Sequence, residues 1–391
     1  MKTVKRIAFA LVIMILIASC HHRGNRMVIN DGGTRIEINY SGEIKFTDDE
    51  TAIKSISHNG YLKYRKNAKR LLVHSLAKGD LKLELFDNGR KINPADSDGK
   101  IFLADAIKEM ISVGFDAKER MQRIFKKGGG RAILNEVAQV KGDFIKSMYL
   151  EFLLSVDTLQ QGESDEIAKI IGSKIDSDFE KSKLLNKFSA DKLKDSLTAK
   201  AYFVAVKSIS SDFEKSNALK HILKQPLTSQ MISEALIVTT SIGSDFEKAN
   251  VLKKVLTQPL INKQTNEALN VTNTIGSDFE KANVLKIMIE HSLYEKESFN
   301  NLLSAINNIG SDFEKENLLK QLIGKGFKSD EQWLAMINET AHLSSEFDRS
   351  NLLVDLAKQM PKNEVLKAAY MEIAKSIHSE MDYGKVVKAV Q

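Results

Sequence analysis

The residues that could do chemistry are few, and their spacing completes no catalytic arrangement. Two possible metal ligands, His291 and Glu295, lie four residues apart on one predicted helix, but a single such pair leaves a zinc site short of ligands. Serine, histidine and aspartate residues occur in no spacing that is typical of a nucleophilic triad. The sequence therefore predicts a protein that is not an enzyme, with no cofactor and no metal site.

A glycine-rich segment, Lys126-Lys-Gly-Gly-Gly-Arg131, could be a phosphate site, because glycine amides at the start of a helix can bind an anion. The spacing of a nucleotide-binding loop and its terminal Lys-Ser/Thr are absent. The segment is therefore expected to be a loop that interrupts the helices around it.

The pentapeptide Ser-Asp-Phe-Glu-Lys recurs five times, and its serines are spaced by 34, 33, 33 and 34 residues. Degenerate copies continue the series at Ser345 and Ser379, and Gly142-Asp-Phe144 precedes it. A period of this length is typical of helical-repeat solenoids. We count about eight units from roughly residue 130 to the end, and place the solenoid proper at 142–391.

Each pentapeptide has the residues of a capping box, which starts a helix. A serine at the N-cap accepts a hydrogen bond from the N3 amide, and a glutamate at N3 reaches back to the N-cap amide. The predicted caps are Ser177, Glu180, Ser211, Glu214, Ser244, Glu247, Ser277, Glu280, Ser311 and Glu314. Capping and the helix dipole explain the acidic residues, so a calcium-binding row of carboxylates is the less favoured alternative.

Three other residues of the repeat lead to predictions: the glycine before the serine, the phenylalanine and the final basic residue. Glycines precede three of the serines (Gly243, Gly276 and Gly310) and are expected to end the preceding helix in the left-handed conformation. The phenylalanine of the pentapeptide is assigned to the apolar stripe of its helix. The basic residue that ends the pentapeptide could form a basic stripe, but it follows acidic residues, so a solvated ridge is expected. These basic residues are Lys181, Lys215, Lys248, Lys281, Lys315 and Arg349.

Residues 27–100 have a different pattern. Thr34-Arg-Ile-Glu-Ile-Asn-Tyr40 alternates apolar and polar residues, as does Asp80-Leu-Lys-Leu-Glu-Leu-Phe86. Turn dipeptides such as Asn59-Gly60, Asn88-Gly89 and Asp98-Gly99 separate such segments. We predict an antiparallel β-meander of six to eight strands, then connecting helices over 101–141. The fold class is α+β, predominantly α, with two-helix repeats of about 34 residues following the β domain.

The first residues are typical of a secreted bacterial lipoprotein. Lys2, Lys5 and Arg6 precede an apolar run from residue 7 to residue 17, which is too short to span a bilayer. Ile17-Ala-Ser-Cys20 resembles the lipoprotein box, which implies a signal peptide at 1–19 and an acylated Cys20 in a lipid-anchored leader, 20–26. The alternative is an ordinary cleavage site beside a chance cysteine. The expected location is the bacterial cell envelope, outside the cytoplasm.

The net charge of +6 includes three cations of the signal peptide. The mature chain then has a small net charge, which gives no reason to expect a nucleic-acid partner.

One further resemblance concerns most of the mature chain. The segment from Phe46 to Leu62, Asn88-Gly89, the segment from Asp98 to Leu103 and the Ser-Asp-Phe-Glu copies resemble the non-catalytic C-terminal extension of BlaR1-type membrane metallopeptidases and related envelope proteins. The resemblance implies an extracytoplasmic sensing or interaction module. The multi-span region and zinc motif of the peptidase are absent from the sequence.

These observations favour an interaction protein: a membrane-anchored scaffold whose helical repeats bind a protein or peptide. The alternative is a sensor or regulatory module whose β domain binds a ligand or partner. An enzyme is the least favoured reading.

Overall fold

The structure is a computed structural model that describes residues 24–31, 34–156, 159, 162–291 and 296–391. Eight strands come first: β1 Asn25–Asp31, β2 Thr34–Ser41, β3 Ile44–Phe46, β4 Ile53–Ile56, β5 Tyr61–Lys66, β6 Lys69–Ser75, β7 Leu81–Asp87 and β8 Arg90–Ile92. The first helices are α1 Ser97–Ser112, α2 Ala117–Val137, α3 Asp143–Ser155, α4 Glu163–Lys174, α5 Asp178–Leu185, α6 Ser196–Lys207, α7 Asp212–Ile222, α8 Ser229–Thr240 and α9 Asp245–Val255. The remaining helices are α10 Asn262–Asn273, α11 Asp278–His291, α12 Lys296–Asn307, α13 Asp312–Lys325, α14 Asp330–Thr340, α15 Glu346–Gln359, α16 Glu364–Ala374 and α17 Glu380–Ala389.

The predicted fold class is confirmed: an antiparallel β region precedes a helical-repeat array. The chain divides into two compact units, Met1–Phe152 and Leu153–Gln391, which we call the β unit and the repeat unit. No helix among the described residues combines the length and the apolar character that crossing a membrane requires.

The sheet of the β unit has six strands in the order β1-β2-β5-β6-β7-β8, all antiparallel. Its strands follow one another as in a meander, except that β3 and β4 form a separate two-stranded hairpin between β2 and β5. Strand β1 begins at Asn25, so the last two residues of the predicted leader pair with β2. The alternating residues Ile36 and Ile38 of β2 are buried as predicted.

Helix α1 closes one face of this sheet. Its buried side chains, including Ile107 and Met110, share a core with Leu62, Leu71 and Leu85 of the strands. The prediction of a turn at Asp98-Gly99 is wrong, because both residues lie in the first turn of α1. Glycine is required at 99 for close approach: a Cβ there would lie 2.0 Å from the carbonyl oxygen of Asn93.

The glycine-rich segment interrupts α2, as predicted. Gly128 and Gly129 have non-helical backbone angles, and Gly129 has a φ of +63°. These non-helical angles kink the helix. Glycine is favoured at 129 because a positive φ costs it less energy than it costs other residues.

Arg120 of α2 is the centre of a buried polar network in the β unit. Its guanidinium binds both carboxylate oxygens of Glu50 at 2.7 and 2.9 Å, Glu136 at 2.7 Å and the Tyr149 hydroxyl at 3.1 Å. Burial lowers the pKa of Arg120, but the hydrogen bonds raise it more, so the net shift is upward. The network joins the β3–β4 turn to α2 and α3.

The repeat unit contains seven two-helix repeats among its described residues. In each repeat the first helix is even-numbered (α4 to α16) and the second is odd-numbered (α5 to α17). First helices pack on the first helices of neighbouring repeats, and second helices pack on second helices. The result is two helix layers, each extended by one helix per repeat.

Candidate functional site

The pentapeptides start the second helices, as the sequence predicted. In all five full copies the serine Oγ accepts a hydrogen bond from the glutamate backbone amide at 3.3 to 3.4 Å. Ser345 and Ser379 cap the two degenerate copies in the same way, on the amides of Asp348 and Asp382. The serine half of each predicted capping box is therefore present.

The glutamate half is different from the prediction. In four of the five boxes the serine amide donates to the aspartate of the preceding repeat: Ser211 to Asp178, Ser244 to Asp212, Ser277 to Asp245 and Ser311 to Asp278. The glutamates lie elsewhere; the carboxylates of Glu247 and Glu280 accept from lysines of the preceding repeat, at 3.4 and 3.3 Å. The physical reason is that a neighbouring helix end brings a carboxylate directly to the amide.

Each such aspartate also accepts from the amide just before the serine. Asp245, for example, accepts from Gly276 at 3.1 Å and from Ser277 at 2.8 Å. Asp312 and Glu346 repeat this arrangement at the last two contacts between second helices. We call this pair of bonds the aspartate joint; it occurs at six successive repeat boundaries. Two backbone amides donate to each of these carboxylates, so contacts between repeats account for the recurrence of the acidic residue.

The glycines before the serines are not left-handed, so that prediction is wrong: Gly243, Gly276 and Gly310 do not have positive φ angles. A Cβ at these positions would lie 3.1 to 3.2 Å from the joint carboxylate of the preceding repeat. Glycine is favoured there because it leaves room for that carboxylate. Ser210 and Ser344 occupy the same position in other repeats and also donate to the joint.

Four of the six basic residues that end the pentapeptides do not belong to the predicted solvated ridge. Lys181, Lys215, Lys248 and Lys281 are buried, with 5 to 7% of each residue exposed. Their ammonium groups donate to carbonyl oxygens at the C-terminus of the next repeat's first helix: Ser208, Ser241, Thr274 and Asn308. Orphan carbonyls and the negative end of the helix dipole both favour a cation there.

The phenylalanine of the pentapeptide is exposed, contrary to its assignment to the buried stripe. Every copy in the second-helix layer is 57 to 67% exposed: Phe179, Phe213, Phe246, Phe279, Phe313 and Phe347. Met381 of the last repeat is 68% exposed. Large apolar side chains that are exposed at one position of successive repeats are typical of an interaction surface. We call this row the phenylalanine ladder.

Two neighbouring ladder positions line a groove between α5 and α7. Phe179 and Phe213 form its apolar part, and Asn186, Asn217 and several cations form its polar part, around a volume of about 590 Å³. The Asn186 side-chain oxygen is buried there without a hydrogen-bond partner.

The charge of the groove is mostly positive. Lys183, Lys220 and Lys224 line it together with His221, against the single carboxylate of Glu214. Burial, and secondarily the charge of Lys224, lowers the pKa of His221 below its usual value of 6.5. His221 is thus neutral at pH 7, and the lysines carry the positive charge.

The first-helix layer shows no such regularity. Of its exposed apolar side chains, Val204 and Ile237 share one repeat position, but that position is Asn270 and Ser304 in the next two repeats, and Leu197 lies at another. Sequence analysis missed the ladder because a phenylalanine two residues after a cap fits the helical period of the buried residues. The signal that could have indicated exposure was its constant position at N2, next to the polar aspartate joint.

The β unit contains a second concave surface, a cleft of about 750 Å³ beside β3 and the start of α2. Tyr40, Phe46 and Phe115 line it, and the ring of Phe115 packs edge to face against the other two. Charged residues of both signs, including Lys45 and Asp116, surround these rings.

Several predicted sites lie outside the described residues. They are Cys20, the signal peptide and Glu295 of the possible metal pair. Among the residues that the structure does describe, no three His, Cys, Asp or Glu side chains are grouped as metal ligands.

Comparison with protein-family models and with curated proteins found no match. The resemblance to the metallopeptidase extension therefore stays a prediction.

Proposed function

We propose that this protein is a binding scaffold whose second-helix layer holds a protein or peptide partner. The observation that carries the proposal is the phenylalanine ladder: six rings at one repeat position, each more than half exposed. Burying apolar surface contributes about 25 cal/mol per Å². A row of such rings gives a partner a large hydrophobic gain, while leaving them in water gives the isolated chain nothing.

The repeat architecture supports the same function. The aspartate joints fix the spacing of the second helices from one repeat to the next. A surface held at fixed spacing loses little conformational entropy when a partner binds. The ladder is therefore preorganised for an extended contact.

We further propose that the chain is a bacterial lipoprotein anchored at Cys20 in the cell envelope. Two or three acyl chains anchor a protein stably, at about 0.8 kcal/mol for each buried methylene. A Cys20→Ser variant is expected to leave the membrane fraction or to keep its signal peptide. Cell fractionation measures the first result, and the mass of the product measures the second. A cleaved variant, with the mass of the mature chain, that still stays in the membrane fraction would exclude the anchor.

A second candidate function is a sensor whose β unit binds a ligand. The aromatic cleft beside β3 favours it, because rings with flanking charges suit a small amphipathic molecule. In that case a Tyr40→Ala variant, at a half-buried ring of the cleft, would lose binding of the small molecule, while the ladder variants below would retain it.

Capture from detergent-solubilised envelope tests the scaffold. The bait is the full chain, compared with a Phe213→Ser/Phe246→Ser/Phe279→Ser variant. A matched control, Leu197→Ser/Val204→Ser/Ile237→Ser, removes equally exposed apolar side chains from the first-helix layer. A partner identified by mass spectrometry and then purified should bind the ladder variant at least tenfold more weakly, because a tenfold loss corresponds to only about 1.4 kcal/mol.

The control variant should bind that purified partner like the unmodified chain. Equal loss in both variants, or in neither, would contradict a ladder-specific surface.

A further inference from the structure

A second residue recurs beside the phenylalanine ladder. Asparagine occupies the position four residues after the phenylalanine in five successive second helices: Asn217, Asn250, Asn283, Asn317 and Asn351. Residues four apart lie on the same helix face. Asn217 and Phe213 indeed line the same groove.

The side chains of these asparagines do not stabilise the described part of the chain through hydrogen bonds. No hydrogen bond joins any of the five side-chain amides to another described group, whereas the joint carboxylates of the same helices are all bonded. Asparagine is also an unfavourable residue in a helix interior, because it competes with the backbone for hydrogen bonds. Asn250, for example, lies in the middle of α9. A recurrent, unbonded and locally unfavourable residue indicates selection for something outside the chain.

The chemistry of the amide identifies what it can bind. An asparagine side chain offers a donor and an acceptor in one plane. This pair complements the carbonyl and the N–H of a peptide backbone. In a helical partner these backbone groups are already bonded internally, whereas an extended chain leaves them free. A row of such amides therefore selects an extended main chain.

The spacing of the row sets the period of the partner. Packed helices lie about 8 to 10 Å apart. An extended chain in the polyproline II conformation advances about 3.1 Å per residue with three residues per turn, so every third side chain lies on the same face. About three residues of an extended segment thus span one repeat. An apolar side chain at every third position would meet one phenylalanine per repeat.

The charges of the groove indicate the charge of the bound segment. Lys224 lines the groove between the first two repeats. Lys254 has in the third repeat the position that the groove residue His221 has in the second, ten residues after the serine. Neither ammonium group is bonded to a described residue, unlike Lys220 and Lys253, which bind Glu247 and Glu280. Free cations along the groove favour acidic side chains in the occupant.

We propose that this asparagine row hydrogen-bonds the main chain of an extended, acidic polypeptide segment with an apolar residue at every third position. The proposal rests on the proposed function and specifies its partner. The phenylalanines contact the apolar side chains, and the asparagines hydrogen-bond the backbone between these side chains.

Defined peptides test this with the full-length chain in detergent. The probe is fluorescein-labelled (Leu-Glu-Ser)5, measured by fluorescence anisotropy. The comparison peptides have the same composition with the leucines grouped together, or the same sequence with N-methylated backbone amides. We expect the period-three peptide to bind at least tenfold more tightly than either. Equal affinities would overturn the proposal.

Variants of the chain distinguish the role of the asparagine row from that of the phenylalanine ladder. Asn217→Ala/Asn250→Ala should weaken binding of the probe about tenfold or more, since alanine keeps the helix and removes only the amides. Asn270→Ala/Asn273→Ala, on exposed positions of α10 in the first-helix layer, should leave affinity unchanged.

If the asparagine variant binds the period-three peptide like the unmodified chain while the ladder variant loses it, the asparagine row is not a main-chain site, but the scaffold function stands. If neither variant changes capture of any envelope partner, both fail. A ladder that instead mediates a dimer, seen as a change of mass in sedimentation of the ladder variant, would also overturn the proposal.

Discussion

The β unit and the repeat unit are held together in opposite ways. The β unit relies on one buried network, in which Arg120 binds groups from three separate segments. The repeat unit divides a comparable set of polar contacts among six similar aspartate joints, each between neighbours only. In a stack of repeats, stability is close to a sum of local terms. Damage should therefore spread through the β unit and stay local in the repeat unit.

The largest effect on stability is expected from Arg120→Met in the β unit. The substitution leaves Glu50 and Glu136 as partly buried carboxylates without their shared cation. Breaking a buried ion pair in this way costs about 3 kcal/mol. Hydrogen exchange of the full chain should show faster exchange throughout the β3–β4 hairpin and α2.

Arg120→Lys is the matched control. It keeps the charge but not the planar fork that binds two carboxylates and a hydroxyl, so its effect should be intermediate. Exchange that increases only at residue 120 and its sequence neighbours would contradict a network that joins three segments.

The same contrast decides what could be predicted from the sequence. The helical repeats were predictable because the serine caps return at a fixed period, and repetition separates a signal from chance. The Arg120 network was not, because its partner Glu50 is 70 residues away in the chain and no second copy marks the pair. The turn assignment at Gly99 failed for a similar reason: its cause is contact with Asn93, and local propensity does not record contacts.

A smaller and local effect is expected from Asp245→Ala. It removes the acceptor of the Gly276 and Ser277 amides, bonds that involve a charged group but are partly exposed. We expect a loss of about 1 to 2 kcal/mol, with faster hydrogen exchange at the start of α11. Asp245→Asn keeps one acceptor oxygen and should lose less. Unfolding of the whole repeat unit at lower urea concentration, without a local step, would argue against local joints.

The roles of the joint residues show the limit of sequence analysis within the repeats. The cap rule assigned Asp and Glu to their own helix, because the rule describes one helix at a time. In the folded repeats Asp245 and Lys248 bind the next repeat instead. Period alone cannot distinguish a residue that serves its own helix from one that serves its neighbour 33 residues on.

The last joint should weaken in acid. Glu346 replaces aspartate there, and its hydrogen bond to the His378 side chain, followed by that to the His378 amide, lowers the pKa of its carboxyl below 4.5. A lowered carboxyl pKa means that the joint is fully stabilised above pH 4.5 and weakens as the pH falls through the folded value. NMR signals of α17 should therefore weaken in this range before those of earlier repeats. Glu346→Gln should remove this pH dependence; an identical acid transition in that variant would assign it to another group.

The smallest effect on stability is expected one residue away from the joint, from Phe246→Ser. Asp245 and Phe246 are neighbours in sequence and recur together, but only the aspartate is bonded to the next repeat, while the ring is 58% exposed. Substitutions at exposed positions usually change stability by less than about 0.5 kcal/mol. Urea unfolding should thus barely distinguish this variant from the unmodified chain, whereas Asp245→Ala is clearly different. A loss for Phe246→Ser as large as for Asp245→Ala would mean that the ring stabilises the repeats, and its recurrence would then need no partner to explain it.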